Sequence, residues 1–573
     1  MKNQERIITY TRRKIFIYSV LVMMILLVLC GRVIYIMAFQ GDKYSEMALN
    51  IQQRRRSIKA MRGNIYDVNG NIIASNKTVC TISVIYSQVK NPEKVINVLS
   101  RELNMDEKEI RKKVEKISLR EKIKSNVDKA VGDRIRQYEL EGVKIDEDYR
   151  RYYPYSTLAS KVLGFTGADN QGIIGLEVEY DSYLKGIDGS ILTKTDAAGI
   201  EIDNVAESRQ EPIPGYNLQT TIDVNIQMYA QQIAYKALES KQAEYASVVV
   251  MNPQNGEIMA MVNAPEYDLN NPFTIIEEMK DEKQNQDTLN KMWRNQCIND
   301  TYEPGSTFKV ITAAAALEEQ VISLDTHFFC PGYKIVDDRR IRCHKVQGHG
   351  SESFVEAAMH SCNPAFIEIG LRLGVDNFYK YLDQFGILSK TGIDLPGEAS
   401  TIIHQKDNVG NVELATMSFG QSFQITPIRF LTTVSALING GNMVTPHLAK
   451  NVTDVTGNEI KSFDYPIKEG IISKDTSTKL DGVLEQVVSE GTGNKAYIEG
   501  FSIGGKTATS QKLPRSSRKY IASFMAFAPA DNPKVLAMII IDEPKGTYYG
   551  GTVVGPLMKE LFENILPYLN ACS

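Results

Sequence analysis

The run Glu303-Pro304-Gly305-Ser306-Thr307-Phe308-Lys309-Val310 stands just ahead of an alanine-rich stretch, Thr312 to Glu319 (TAAAALEE). Strong helix formers predict that this stretch continues a helix whose start is set by Pro304 and Gly305. A serine three residues before a lysine in the first turn puts a nucleophile and a prospective base on one helix face. A lone S-x-x-K is common and its bland reading is a helix start with an exposed lysine, so its weight depends on partners downstream. Two partners follow: Ser361-Cys362-Asn363, within His360 to Pro364, and Gly504-Gly505-Lys506-Thr507-Ala508-Thr509.

S-x-x-K, then Ser-x-Asn, then Lys-Thr-x, in this order and at wide spacing, is similar to the signature set of penicillin-binding proteins and class A β-lactamases. Further elements extend the likeness over nearly the whole chain. They are Arg62-Gly63-Asn64-Ile65-Tyr66-Asp67 with Asn69-Gly70, Arg151-Tyr152-Tyr153-Pro154, Gly175-Leu176-Glu177, Gly392 to Glu398 (GIDLPGE), Phe419-Gly420-Gln421 and Thr426-Pro427. The chain resembles a class B penicillin-binding protein, a monofunctional peptidoglycan DD-transpeptidase. That resemblance implies an α+β fold: a transpeptidase domain, built as an antiparallel sheet flanked by helices, preceded by a transmembrane helix and an elongated N-terminal pedestal or dimerisation domain without chemistry of its own.

Bulk properties agree. At 573 residues the chain is long enough for two or three domains. Lys+Arg 65 against Asp+Glu 69 leaves a net charge of -4, which gives no pointer to nucleic acid. Ile15 to Phe39 is apolar apart from Arg32 and long enough to cross a bilayer as a helix. Lys2, Arg6, Arg12, Arg13 and Lys14 precede it, so the positive-inside rule puts the N-terminus in the cytoplasm. No small-x-small cleavage site follows, and bulky Leu29 argues against a lipoprotein site at Cys30. The expected layout is a cytoplasmic tail (1–14), a single-pass cell-membrane anchor (15–39), a pedestal (40–215) and an extracytoplasmic transpeptidase domain (216–573).

Within the pedestal, Val95 to Tyr149 is rich in Glu, Lys and Arg, with Ile110, Val114 and Ile117 at helical spacing, and reads as a solvated helical subdomain. Glu211-Pro212-Ile213-Pro214-Gly215 reads as a short linker. Beyond it, Ala246 to Met251 and Ile258 to Val262 read as strands joined at Asn255-Gly256, and Tyr520 to Phe527 and Val535 to Ile541 as two more. Lys506 to Thr509 falls on a strand before them, helices fill the middle, and Leu557 to Leu569 closes the chain as a helix.

By resemblance, Ser306 is the nucleophile. A serine hydroxyl needs a base, and Lys309 serves only when neutral; burial and a second cation, Lys506, would both lower its pKa. Ser361 would pass a proton between the leaving amine and this pair, and Asn363 would bond the substrate backbone. Lys506, Thr507 and Thr509 would hold the terminal carboxylate of a D-Ala-D-Ala stem, and the N–H groups of Ser306 and Thr509 would form the oxyanion hole. Ala508 departs from the family pattern, which has glycine there so that substrate can lie close to the strand. His349 and His360 invite a Ser-His reading, but the lysine already supplies the base.

Seven cysteines are unusual. Cys30 lies in the apolar span, and Cys80, Cys362 and Cys572 are isolated in sequence. Cys297, Cys330 and Cys343 surround the serine, with Asp300 and His344 nearby. Lys334 to Arg342 reads as a hairpin turning at Asp337-Asp338, which puts Cys343 opposite Gly332, diagonal to Cys330, and turns His344 away. Three thiolates and a carboxylate, from Cys297, Asp300, Cys330 and Cys343, suit a tetrahedral zinc site. A Cys330–Cys343 disulfide and free buried thiols are the alternatives.

Two further functions compete with crosslinking. A membrane-anchored penicillin sensor or β-lactamase-like hydrolase shares the motifs, but no Glu stands in an obvious deacylation loop. A scaffold with a dead site draws slight support from Ala508. The anchor and pedestal leave no room for a glycosyltransferase domain. The resemblance therefore implies a multi-span membrane glycosyltransferase as partner, stem peptides as substrate and β-lactams as covalent inhibitors.

Overall fold

The computed structural model describes residues 2–41, 43–44, 53–194, 208–280, 282–283 and 285–571; Cys572 lies outside them. The chain divides into two compact units. One comprises residues 1–60, 78–149 and 187–213, the other residues 61–77, 150–186 and 214–573.

The first unit begins with the helix Lys2–Phe39. Within Arg12–Phe39 an 18-residue window reaches a mean hydropathy of 2.6 and none of it is buried, which fits a single-pass membrane anchor. Residues 78–149 of this unit are not purely helical. Helices Pro92–Leu103, Glu107–Val114 and Lys129–Gln137 pack their apolar faces, through Ile96, Leu99, Ile110 and Ile135, on strand residues Ile82, Val84 and Ile123. Ile117 breaks the expected helical spacing: the helix ends at Val114, and Ile117 is 84% exposed. Ile117 lies in the irregular stretch before the strand Glu121–Asp128, which buries only Ile123 and Val127.

In the second unit, three of the short N-terminal motifs meet at one carboxylate. Arg62 Nε donates to Glu177 at 2.5 Å, Arg151 Nε at 2.6 Å and the Tyr153 hydroxyl at 3.1 Å. Glu177 is fully buried. Burial pushes its pKa up, but Arg151 and Arg62 overcome that and hold it below the usual range.

The second unit is organised on a five-stranded antiparallel sheet. Its elements include α1 (Val224–Lys241), β1 (Tyr245–Met251), β2 (Ile258–Ala264), α2 (Lys309–Glu318), β3 (His327–Cys330), β4 (Tyr333–Val336), β5 (Arg339–Arg342), β6 (Gly350–Ser353), α3 (Phe354–Met359), α4 (Asn363–Gln384), α5 (Pro427–Ile438), β7 (Gly504–Gln511), β8 (Tyr520–Ala528), β9 (Val535–Asp542) and α6 (Gly555–Ala571). The sheet order is β2-β1-β9-β8-β7, so β7 is an edge strand. Both faces are covered, which explains why β9 is buried at every position and β8 at every position but its first. Val248, Val250, Ala537 and Ile539 pack with α1 and α6, while Val249, Met251, Met538 and Ile540 pack with α2 and α5.

The β1–β2 hairpin turns where Asn255-Gly256 predicts, but through a longer loop: Gly256 N–H bonds Asn252 O, and Asn252 N–H bonds Glu257 O. α2 is buried from Lys309 to Leu317. Its alanines therefore serve packing as much as propensity: side chains of that size let a helix run through the domain interior.

Candidate active site

The serine turn is a short 3-10 segment, Gly305–Phe308, that runs directly into α2. Ser306 is half-buried on it, whereas Lys309, one turn on, is 1% exposed. Phe308 anchors the turn in the core, edge-on to Phe423 at 4.7 Å. The Phe419-Gly420-Gln421 element supports the turn from below through backbone alone. Gly305 N–H donates to Gly420 O at 2.9 Å, and a Cβ on Gly420, which has φ +83°, would fall 2.1 Å from Gly305 O. Glu303, just ahead of the turn, accepts from Ser422 N–H at 2.9 Å and pairs with Arg515 at 3.0 Å.

Lys309 is gripped by the second motif. Its Nζ donates to Ser361 O at 2.7 Å, Ser361 Oγ at 3.2 Å and Asn363 Oδ1 at 2.8 Å. The ring of Phe366 lies 5.3 Å away. Ser361 and Asn363 flank the step from α3 to α4, with Ser361 at φ +55°. A serine in the left-handed region costs about 1–2 kcal/mol and persists only where its surroundings hold it. Here the N–H groups of Ser361 and Cys362 bond Ala358 O and Ala357 O.

Burial lowers the Lys309 pKa to about 8, while Cys362, Cys343 and Glu352 oppose the fall. The sequence assigns part of that lowering to Lys506, but the electrostatics run the other way. Burial pulls Lys506 well below the lysine range, and the charge of Lys309 adds to it. The reason lies in their partners: Lys309 has three oxygen acceptors, while Lys506 Nζ has one, Thr507 O at 3.3 Å.

Lys506 and Ala508 alternate onto the face of β7 that meets the serine turn. A Cβ on Gly305 would lie 3.6 Å from the Ala508 Cβ and 2.4 Å from Ser510 Oγ. The methyl of Ala508 is 3% exposed and sits over the start of the nucleophile helix. Thr507 and Thr509 take the opposite face. Thr509 Oγ1 accepts from Gly550 N–H at 2.9 Å, and Thr507 Cγ2 lies 3.7 Å from where Gly551 would carry a Cβ.

The cysteines do not gather as the spacing suggests. Cys330 and Cys343 do come together, but with His349 and Cys362: one ligand atom from each of the four lies within 4.8 Å of the others. Cys297 and Asp300 belong elsewhere. Cys297 is buried under the sheet, its Sγ toward Val262 O and its N–H on Asn263, and its thiol is pushed up to about 12 by burial. Asp300 is half-exposed and paired with Arg294 at 2.6 Å. The physical reason is that the helix Gln296–Asn299 ends before Asp300, whose backbone is extended, so the i, i+3 geometry is lost.

The hairpin behaves as read, with Cys343 N–H on Gly332 O at 2.9 Å. His344 does not turn fully away, its Nδ1 being 3.8 Å from Cys343 Sγ. The six cysteines among the described residues are free thiols. Sequence reasoning missed His349 and Cys362. The signal was present: Cys362 is the middle residue of the Ser-x-Asn motif, and His349 stands between Cys343 and Cys362 in a C-x12-C-x5-H-x12-C frame.

Comparison with known proteins places these residues in a wider set. Residues 246–563 match the penicillin binding protein transpeptidase domain, and residues 57–220 the penicillin-binding protein dimerisation domain. The chain is 38% identical to stage V sporulation protein D of Bacillus subtilis (strain 168), over 98% of this chain and 87% of that one. It is 27% identical to the probable peptidoglycan D,D-transpeptidase PenA of Neisseria meningitidis serogroup A, over 94% and 90%. It is also 27% identical to the peptidoglycan D,D-transpeptidase FtsI of Buchnera aphidicola subsp. Baizongia pistaciae, over 98% and 96%. Among solved structures, penicillin binding protein 2X of Streptococcus thermophilus shares the fold with a TM-score of 0.76 and 22% identity, over 90% of this chain and 80% of that one.

Proposed function

This chain belongs to the penicillin-binding protein family and is a serine-type peptidoglycan D,D-transpeptidase, and from that premise we propose that Ser306 is its nucleophile and Lys309 its general base. Lys309, when neutral, takes the Ser306 proton as Oγ bonds to the carbonyl carbon of the penultimate D-Ala. The N–H groups of Ser306 and Thr509 receive the oxyanion. Collapse breaks the peptide bond to the terminal D-Ala, whose amine gains its proton through Ser361. An amine from a neighbouring stem then attacks the ester, and Oγ recovers its proton as the crosslink forms. A β-lactam enters the same first step, but its leaving amine stays tethered in the opened ring, so the acyl-enzyme persists.

Asn363 and the β7 edge orient the stem, which lies along Thr507, Ala508 and Thr509 as an added strand. Thr509 accepts from Gly550, so its own hydroxyl proton is left to donate to the substrate carboxylate. Lys506 supplies the remaining electrostatic attraction when protonated.

The observation that carries this reading is the buried Lys309 amine, brought down to about 8 by burial and held by Ser361 and Asn363. The basic flank that includes Arg12, Arg13 and Lys14 supports a cytoplasmic N-terminus, with the transpeptidase domain outside. Glycan polymerisation then falls to a partner, a multi-span membrane glycosyltransferase. The name of the 38% identical relative supports a role in sporulation, which a tagged copy followed through growth and sporulation tests.

Labelled penicillin tests the assignment. A stable adduct on the Ser306 peptide, lost in Ser306→Ala, supports it. Rapid turnover of the adduct favours a hydrolase or sensor, and an unmodified chain favours a scaffold.

A further inference from the structure

We propose that Cys330, Cys343, Cys362 and His349 bind one zinc ion in a tetrahedral site, and that the ion pins the turn carrying Ser361 and Asn363. The ligand atoms of the four side chains lie within 4.8 Å of one another, and Cys343 Sγ is 3.7 Å from His349 Nδ1. A tetrahedral zinc with Zn–S of about 2.3 Å and Zn–N of about 2.0 Å sets S···N edges of about 3.6 Å. Three soft sulfurs and an imidazole match zinc in both ligand type and number. The thiols are 1%, 3% and 0% exposed and the His349 side chain 5%. Four buried ligands make a closed, structural site with no position for substrate. Each thiol gives up its proton to solvent as its sulfur bonds to the metal.

Two independent features point the same way. The excursion from His327 to Ser353 has little core of its own. Its pieces are two short strand pairs, β3 with β6 and β4 with β5, and Phe329, Ile335 and Val346 are 68%, 62% and 69% exposed. A segment that buries so little apolar surface needs a covalent or metal staple. The second feature is Glu352, whose side chain is 2% exposed. Its Oε1 stands 3.9 Å from His349 Nδ1 and has no hydrogen-bond partner. A buried carboxylate oxygen left without a donor is offset by a cation close by, which an ion in this cluster supplies.

The link to chemistry is Cys362. Its side chain points into the cluster, while those of its neighbours Ser361 and Asn363 hold Lys309. The ion thereby supports the left-handed Ser361 from the side away from substrate. This second half rests on the acyl-transfer reading above.

The test uses the full-length chain purified in detergent under reductant. Elemental analysis should find one zinc per chain. Cys330→Ser should lose it, Cys297→Ser should keep it, and cobalt put in its place should show tetrahedral, thiolate-ligated absorption. Zinc below about a tenth of an equivalent in the parent overturns the site. So does zinc retained by Cys330→Ser, or a disulfide between any two of the three cysteines. Chelation should slow penicillin acylation about 10–100-fold, with recovery on adding zinc back; an unchanged rate overturns the positioning role. Ser306→Ala separates the two readings, since it should bind zinc fully and form no adduct.

Discussion

Replacing Gly420 with alanine perturbs the nucleophile without touching any reacting group. The new Cβ would lie 2.1 Å from Gly305 O, whereas such contacts are essentially never under 3.0 Å, so about 0.9 Å must open between the two backbones. The Gly305 N–H to Gly420 O bond, 2.9 Å at rest, stretches beyond hydrogen-bonding range. An alanine at φ +83° adds about 1–2 kcal/mol, and the lost buried bond about 1 kcal/mol. The fold withstands a loss of that size, but the serine turn moves by nearly 1 Å. Misplacement on that scale costs roughly 10²-fold in rate. Gly420→Ala should therefore acylate with labelled penicillin about 100-fold more slowly, by stopped-flow, while circular dichroism reports a folded chain. A folded variant within threefold of the parent rate would refute the view that this element acts by backbone contact with the turn.

The remaining predictions concern charge, the edge strand and the N-terminal motifs. With a Lys309 pKa of about 8, the neutral fraction is about 1% at pH 6 and ~50% at pH 8. Because the base works deprotonated, acylation should rise ~50-fold over that interval and level off above it; a flat or falling profile counts against Lys309. Ala508→Gly should speed β-lactam acylation several-fold at a stability cost of only about 0.5–1 kcal/mol, because the methyl over the serine turn is removed; equal rates in both forms would dismiss that role. Glu177→Gln leaves buried Arg62 and Arg151 facing a neutral side chain, and should cost about 3–5 kcal/mol in thermal unfolding while acylation below the transition stays within threefold. A variant as stable as the parent would show that the cluster is not structural.

The legible part of the site was the part carried by local spacing. Ser306 and Lys309 share a helix face, Lys506 to Thr509 share a strand, and the Cys343 to Gly332 register follows from a two-residue turn. What escaped depends on long-range packing. The true partners of Lys309 could not be ranked, because its lowered pKa comes from burial and not from Lys506. Alternation along β7 separates Thr507 and Thr509 from Lys506 and Ala508, a split that a motif read as a unit hides. Cys297 and Asp300 looked like ligands because they are near Ser306 in sequence, yet an extended Asp300 removes one and the sheet buries the other. Ile117 failed for a similar reason, lying past the end of a helix whose periodicity seemed to include it.

Acyl transfer through Ser306 is most directly tested with a synthetic stem ending in D-Ala-D-Ala and an amine acceptor. The purified full-length chain should release D-Ala and form the crosslinked product in equal amounts, with an ester on Ser306 trapped by rapid acid quench. Ser306→Ala should do neither. Crosslinking that survives in Ser306→Ala, or D-Ala release that yields only hydrolysed stem however much acceptor is added, would contradict the assignment.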